Sequence, residues 1–261
     1  MNNSNSRLMS LAFALVITAV QTGLVMLFTN MTYVGTVANR LLIGLGGHMP
    51  DGMIHAITFF LFYFGLLEVR RMTKDASHQE KAFDLKLLPE KEHYVLNPDE
   101  VNQIRLKVTD LGQTDNFHLV DLIKKACTKF RANKSASEAL DVVSAQASIN
   151  VRNSDSEQSL LRFVLTAIPS VGFIGTVIGI ALSLGNAEHA GEAGGIKKIT
   201  TLLEIAFDTT LVALLLSILL MYFYHEMQER VEKSHTRMES YIIENLINRI
   251  YVPKGERETT H

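Results

Sequence analysis

Four long apolar stretches alternate with polar segments along this chain of 261 residues. They cover about residues 8–28, 53–69, 160–184 and 202–224. A helix that crosses a bilayer needs about 20 consecutive apolar residues, so each stretch is predicted to be a transmembrane span. Because lipid offers no partner to a free backbone group, the spans are expected to be helical throughout. The pattern therefore predicts an all-α integral membrane protein.

The first apolar stretch is interpreted as a retained span and not as a signal peptide. Only Arg7 precedes it as a basic residue, and no clear small-residue cleavage site follows it. Its apolar run is also longer than the core of a signal peptide. Residues 1–69 are therefore expected to form an N-terminal membrane hairpin.

Basic residues are distributed unevenly between the segments that separate the spans. Residues 70–159 carry fourteen lysines and arginines, and the residues after position 224 carry six. The segment between spans one and two carries only Arg40, and the segment between spans three and four carries only Lys197 and Lys198. Since cytoplasmic segments of membrane proteins are enriched in positive charge, both termini and the middle segment are predicted to be cytoplasmic.

The middle segment, residues 70–157, is predicted to be a helical cytoplasmic domain. Asn97 is the expected N-cap of its first helix, with Pro98 at the first helical position. A second helix is predicted over residues 117–130. A third should begin at Ser135, because Ser135 and Glu138 have the spacing of a capping box.

The second membrane hairpin is placed at residues 158–224. Ser154 and Glu157 repeat the capping-box spacing, which predicts another helix start just before the third span. That helix should start in the cytoplasm and enter the membrane after Arg162. Residues 225–261 are expected to form a cytoplasmic C-terminal helix and tail.

The C-terminal helix is predicted to continue the fourth span. It carries apolar side chains at helical spacing: Met227, Val231, Met238, Ile242 and Leu246. Such a face packs either on its own subunit or on a neighbouring subunit, and the sequence favours neither alternative.

Composition and charge exclude several classes of function. The net charge of −2 gives no sign of a nucleic-acid surface. Cys127 is the single cysteine, so no internal disulfide can form and no metal-binding spacing exists. The sequence contains no phosphate-binding loop, no zincin histidine pair and no nucleophile elbow. We therefore expect a non-enzymatic protein without a cofactor or a metal site.

Small residues form a ridge along the third span. Gly175, Gly179 and Ser183 recur every four residues, and Gly172 lies beside them. This pattern lets membrane helices approach closely, either as ordinary helix packing or around a pore. Pro169 removes one backbone hydrogen bond within the same span.

Hydroxyl groups accompany this ridge on both spans of the second hairpin. Thr176 lies on the third span, and Thr209, Thr210 and Ser217 lie on the fourth. Each hydroxyl can bond the backbone of its own helix, or the group can form a polar seam that serves as an ion path. Both alternatives remain open at this point.

Acidic residues are absent from the middle of every predicted span. Glu204 and Asp208 lie in the first turns of the fourth span, where Lys197 and Lys198 are close in sequence. Asp208 is therefore a candidate for ion entry or for a structural ion pair. Hydroxyls do not titrate near neutral pH, so a proton path here needs a carboxylate from another chain.

Two sequence blocks resemble the MotA/TolQ/ExbB proton channel family. They read "AIPSVGFIGTVIGI" and "EIAFDTTLVALLLSI". The positions that match are Pro169, Gly172, Gly175, Thr176, Val177, Gly179, Ile180, Ala206 and Thr210. The chain departs from the family pattern at Ile205, where a glutamate is common, at Asp208 and at Ala213.

The resemblance implies a ring of these subunits, a pentamer in this family, in the inner membrane of a bacterium. The ring would enclose a dimer of a single-span MotB/TolR/ExbD-like protein, whose aspartate carries the proton. Thr176 and Thr210 would offer hydroxyls to that aspartate, and proton motive force would turn the ring. A membrane scaffold or transporter that uses the same packing ridge is the alternative.

Overall fold

The computed structural model describes residues 3–32, 42–47, 52–91, 94–111 and 117–251. Over these residues the chain is helical and contains no strand beyond one isolated bridge. The position of Arg40 and the last ten residues of the predicted tail lie outside the described part.

The long helices give the chain its architecture. They are α1 (Asn3–Met31), α2 (Gly52–Glu80), α3 (Pro98–Leu111), α4 (His118–Asn133), α5 (Ala136–Gly185) and α6 (Gly195–Asn245). Short 3₁₀ turns follow α2 at Lys81–Leu85, α5 at Ala187–His189 and α6 at Ile247–Arg249. Among the described residues, four helices are long and apolar enough to cross a membrane, namely α1, α2, α5 and α6, which confirms the four predicted apolar helices.

Two predicted helix starts in the middle segment are confirmed. α3 begins at Pro98, and the Val101 amide donates to the Asn97 carbonyl at 3.1 Å. α5 begins directly after Ser135, whose hydroxyl accepts a hydrogen bond from the Glu138 amide at 3.3 Å. Both signals can be read from the sequence because the partners lie within one helical turn.

The helix start predicted at Ser154 is wrong. α5 is one continuous helix of 50 residues that passes through this position. Asn150, Gln158 and Leu161 are buried on either side of it, so one stripe of packing runs along the whole helix. Extending a formed helix costs less than nucleating a new one, and the local capping pattern is therefore overridden.

The chain divides into two compact units. Unit one comprises Met1–Arg71 and Ser159–Glu226, and unit two comprises Met72–Gln158 and Met227–His261. The apolar stretches of all four candidate spans lie in unit one, where many large apolar side chains are exposed. Exposed apolar surface on this scale is what lipid-facing helices present, since lipid requires no polar covering.

Unit two has a core of large apolar side chains. Leu119, Ile123 and Phe130 of α4 are at most 1% exposed. Met238 and Ile242, from the C-terminal part of α6, belong to the same cluster. This part of the predicted tail helix therefore packs on its own subunit. Cys127 is buried in this core, which raises the pKa of its thiol to about 12.

Candidate functional site

A pair of threonines joins α5 to α6 within unit one. The Thr176 hydroxyl donates to the Ala206 carbonyl at 2.8 Å. The Thr210 hydroxyl donates to the Gly172 carbonyl at 3.0 Å. Gly172 lies four residues before Thr176 on α5, and Ala206 lies four residues before Thr210 on α6. Each threonine thus donates to the carbonyl one turn before the other threonine. The two hydroxyl oxygens also contact each other, and we call this arrangement of two hydroxyls and two carbonyls the threonine seam.

Thr209 lies next to the threonine seam but deeper between the helices. It is 3% exposed, and its hydroxyl donates to the carbonyl of Ala206 at 2.8 Å. Thr176 and Thr210 are instead half-buried. Of these three threonines, only Thr176 and Thr210 can therefore be reached from outside the helix pair.

The glycines of the third span, Gly172, Gly175 and Gly179, form a ridge that faces α6 of the same subunit, which we call the glycine ridge. A methyl group added at Gly179 would lie 2.5 Å from the Ala206 side chain, and one at Gly175 would lie 2.7 Å from the Thr209 hydroxyl. A methyl group added at Gly172 would collide with the Ala213 side chain. These glycines bring the two backbones close enough for side-chain hydroxyls to reach carbonyls on the facing helix.

Two serines extend the contact beyond the threonines. Ser183 is 2% exposed, and its hydroxyl donates to the Ile199 carbonyl at 3.1 Å. Ser217 is 7% exposed, and its hydroxyl lies 3.5 Å from the Leu165 carbonyl. That carbonyl would normally accept the amide hydrogen of residue 169, but Pro169 has none. Ser217 thus supplies the donor that the proline removes.

The region with this geometry matches a known family model. Residues 116–240 match the model of the MotA/TolQ/ExbB proton channel family. This region is similar to that family. The match includes the threonine seam and the glycine ridge, confirms the resemblance drawn from the two sequence blocks, and supports a multi-pass membrane subunit of the proton-channel type. No curated protein and no solved structure matches the chain.

Asp208 occupies a different part of the family region. It precedes Thr210 by two positions, which places the two side chains about 200° apart around the helix. The Asp208 Oδ2 atom lies 3.2 Å from the position that a methyl group at Gly44 would take. Asp208 and Glu204 are both half-buried, and Lys197 and Lys198 are exposed. In the described part of the chain, no group of three or more potential ligands could hold a metal ion.

One buried ionic group was missed by the sequence analysis. Glu68 is 2% exposed on α2, and its Oε2 atom lies 3.0 Å from Arg71 Nη2 and 3.9 Å from Arg7 Nε. The spacing of Glu68 and Arg71 is a readable signal of an intrahelical pair. The contribution of Arg7 is not readable from the sequence, because it depends on how α1 packs against α2.

Proposed function

We propose that the chain is the proton-channel subunit of an ion-driven rotary motor that uses proton motive force. It works with a single-span partner protein whose aspartate carries the proton. The observation that carries this proposal is the threonine seam: two half-buried hydroxyls on facing helices, inside the region that matches the proton channel family.

The chemistry of hydroxyls suits a path that must release its proton. A fixed carboxylate would pair strongly with a passing charge in a medium of low dielectric constant. A threonine hydroxyl stays neutral throughout the physiological pH range, so it can contact the partner's carboxyl group without binding it tightly. Moving one charge through 100 mV supplies about 2.3 kcal/mol. This energy is enough to break and re-form weak contacts between the hydroxyls and the partner's carboxyl group.

The surface around the threonine seam suits a membrane helix as its neighbour. Exposed apolar side chains flank both threonines, on α5 and on α6: Phe173, Val177, Phe207, Leu211 and Leu214. A polar spot within an apolar face is the pattern with which membrane helices recognise each other. We therefore propose a homo-oligomer, a pentamer by analogy with the family, around a dimer of a MotB/TolR/ExbD-like protein.

The remaining features of the proposal extend the similarity to the proton channel family. The subunit would lie in the inner membrane of a bacterium, with both termini in the cytoplasm and lipid around the spans. We propose a channel role without enzymatic activity, and nucleic acid is not a partner. Thr209, Ser217 and Asp208 remain candidates for the ion path, and Pro169 and the glycines remain candidates for its lining.

A membrane scaffold or transporter subunit is the second candidate. It is favoured by the observation that the hydroxyls of Thr209 and Ser217 donate to backbone carbonyls within the subunit. In that case the small-residue ridge would serve packing alone.

Proton flow separates the two candidates. The chain would be purified with the membrane protein that accompanies it and reconstituted in liposomes, and proton uptake would be followed after a potassium diffusion potential is imposed. We expect uptake with the wild-type complex and a loss of at least fivefold with Thr210→Val. Thr200→Val is the matched control, because Thr200 lies on the same helix and its hydroxyl bonds only its own turn.

Two results would contradict the channel proposal. One is equal proton uptake by wild-type and Thr210→Val protein that elute identically in size-exclusion chromatography. The other is an electron cryomicroscopy reconstruction in which the axis of the ring contains no second polypeptide.

A further inference from the structure

Two histidines of unit two face each other across a helix contact. His118 is the first residue of α4, and His235 lies on the C-terminal part of α6. Their ring centroids are 6.3 Å apart, with an angle of 44° between the ring planes. Both residues lie outside the predicted spans, so both rings can exchange protons with water.

Leu119 and Val120 anchor the start of α4 in the apolar core, but its polar contacts are few. The His118 amide donates to the Gln79 side chain at 2.8 Å, and Phe117 stacks on His78 with centroids 5.0 Å apart. The residue before α4, Phe117, provides no side-chain hydrogen bond to cap the helix. A positive charge at this end of a helix is also opposed by the helix dipole. Protonation at His118 therefore acts on a helix end that has no side-chain cap and is held by its apolar side chains.

His235 has a second environment available to it. It lines a cleft of about 300 Å³ between α5 and α6, whose other walls include Asp155, Glu232 and Glu239. A neutral imidazole gains little from these carboxylates, whereas an imidazolium would pair with them. The cleft is large enough for an imidazole ring to turn into it.

We propose that His118 and His235 form an acid-sensitive switch: neutral rings hold the start of α4 against α6, and protonated His235 turns into the carboxylate-lined cleft and releases it. The charged groups around the pair act on the two rings differently. Asp121 and Glu157 act on His118 from α4 and α5, whereas Asp155, Glu232 and Glu239 line the cleft that His235 also lines.

The direction of the pH effect follows from these surroundings. Partial burial lowers the pKa of both histidines, although His118 is exposed and His235 is half-buried. The neighbouring His118 lowers the pKa of His235 further, and Asp121 and Glu157 oppose the shift at His118. A histidine with a lowered pKa stabilises the closed contact above its ordinary pKa of about 6.5. The contact is lost as the pH falls below that value.

Hydrogen–deuterium exchange of the full-length protein in nanodiscs tests the switch. The peptide to follow covers residues 117–124, measured at pH 7.5 and at pH 5.5 and corrected for intrinsic exchange. We expect protection to fall about three- to tenfold on acidification, since one proton taken up changes an opening equilibrium by up to about tenfold per pH unit. His235→Gln should abolish this fall, and Glu232→Gln should reduce it.

His225→Gln is the matched control, because His225 lies on the same helix and is exposed. It should behave like the wild type. Equal protection of wild-type protein at both pH values would overturn the proposal, as would an unchanged fall in the His235→Gln variant. If that variant does not fold, NMR titration of the wild-type imidazoles decides, and titration of His235 at or above the ordinary pKa overturns the switch.

These measurements need neither a partner nor proton flow. They therefore stand independently of the proposed channel function. If the channel function also holds, acid that accumulates in the cytoplasm would loosen unit two as the proton gradient declines.

Discussion

Different kinds of side chain stabilise the interior of each of the two units. In unit two, α4 contributes Leu119, Ile123 and Phe130 to a core of large apolar groups. In unit one, the contact between α5 and α6 is built around Gly172 and Gly179, with hydroxyls bonded to carbonyls. Burial of apolar surface drives packing in water. Lipid removes that driving force, so helices there associate through close backbone approach and hydrogen bonds.

The largest effect is expected from removing a large side chain in unit two. Phe130→Ala should destabilise this unit by about 3–5 kcal/mol, because a ring that is 1% exposed leaves a cavity. Exchange of the α4 amides would report the loss. Leu106→Ala, at a side chain that is 51% exposed, is the control and should cost far less. Equal losses in the two variants would contradict the assignment of this core.

A smaller but sharper effect is expected from adding one methyl group in unit one. Gly172→Ala should destabilise the pair α5–α6 by about 1–3 kcal/mol, because the new methyl meets the Ala213 side chain. Thermal unfolding in detergent would measure the loss. Ala213→Gly in the same chain should restore part of the stability, since it removes the opposing methyl while backbone atoms of Thr209 and Thr210 stay 3.2 and 3.3 Å from the new methyl.

Gly23→Ala provides the matched control for this prediction. Gly23 lies within α1, and a methyl group there meets nothing within 4 Å. The control should be neutral or slightly stabilising, as expected for glycine replaced by alanine in a helix. A Gly172→Ala cost that is the same with and without Ala213→Gly would show that the two positions do not oppose each other.

The smallest effect on stability is expected at the Leu165 carbonyl, which receives no amide hydrogen from Pro169. Ser217→Ala should cost about 0.6 kcal/mol, a typical value for an interhelical hydrogen bond in a membrane. In a Pro169→Ala background the same change should cost less, because the restored amide then bonds the Leu165 carbonyl. Unfolding of the two single variants and the double variant gives this coupling, and strict additivity would exclude it.

Much of the architecture could be predicted because its signals are local. Four apolar runs identify the long helices, and the Ser135 cap involves partners within one turn. The pattern at Ser154 is equally local, yet it failed because packing along α5 extends the helix through it. A capping motif therefore predicts a helix start only where the buried stripe is also interrupted.

The sequence predicted which residues form the candidate site but not how their side chains are bonded. The spacing indicated that Thr176 and Thr210 belong to small-residue faces. It could not indicate that each donates to a carbonyl of the other helix, because this depends on the rotation of both helices about their axes. The ion pair of Arg7 with Glu68 was missed for the same reason, since its partners are far apart in sequence.

The reciprocal bonding of the threonines also determines what a visiting group would meet. Each hydroxyl has a backbone oxygen of the facing helix as an acceptor within hydrogen-bond distance. With both hydrogens on these acceptors, the outward sides of the hydroxyl oxygens offer lone pairs. A molecule that docks there must bring a hydrogen of its own. A neutral carboxylic acid satisfies that requirement and an ionised carboxylate does not. The two threonines would therefore bind the protonated form of a partner's carboxyl group and release its ionised form.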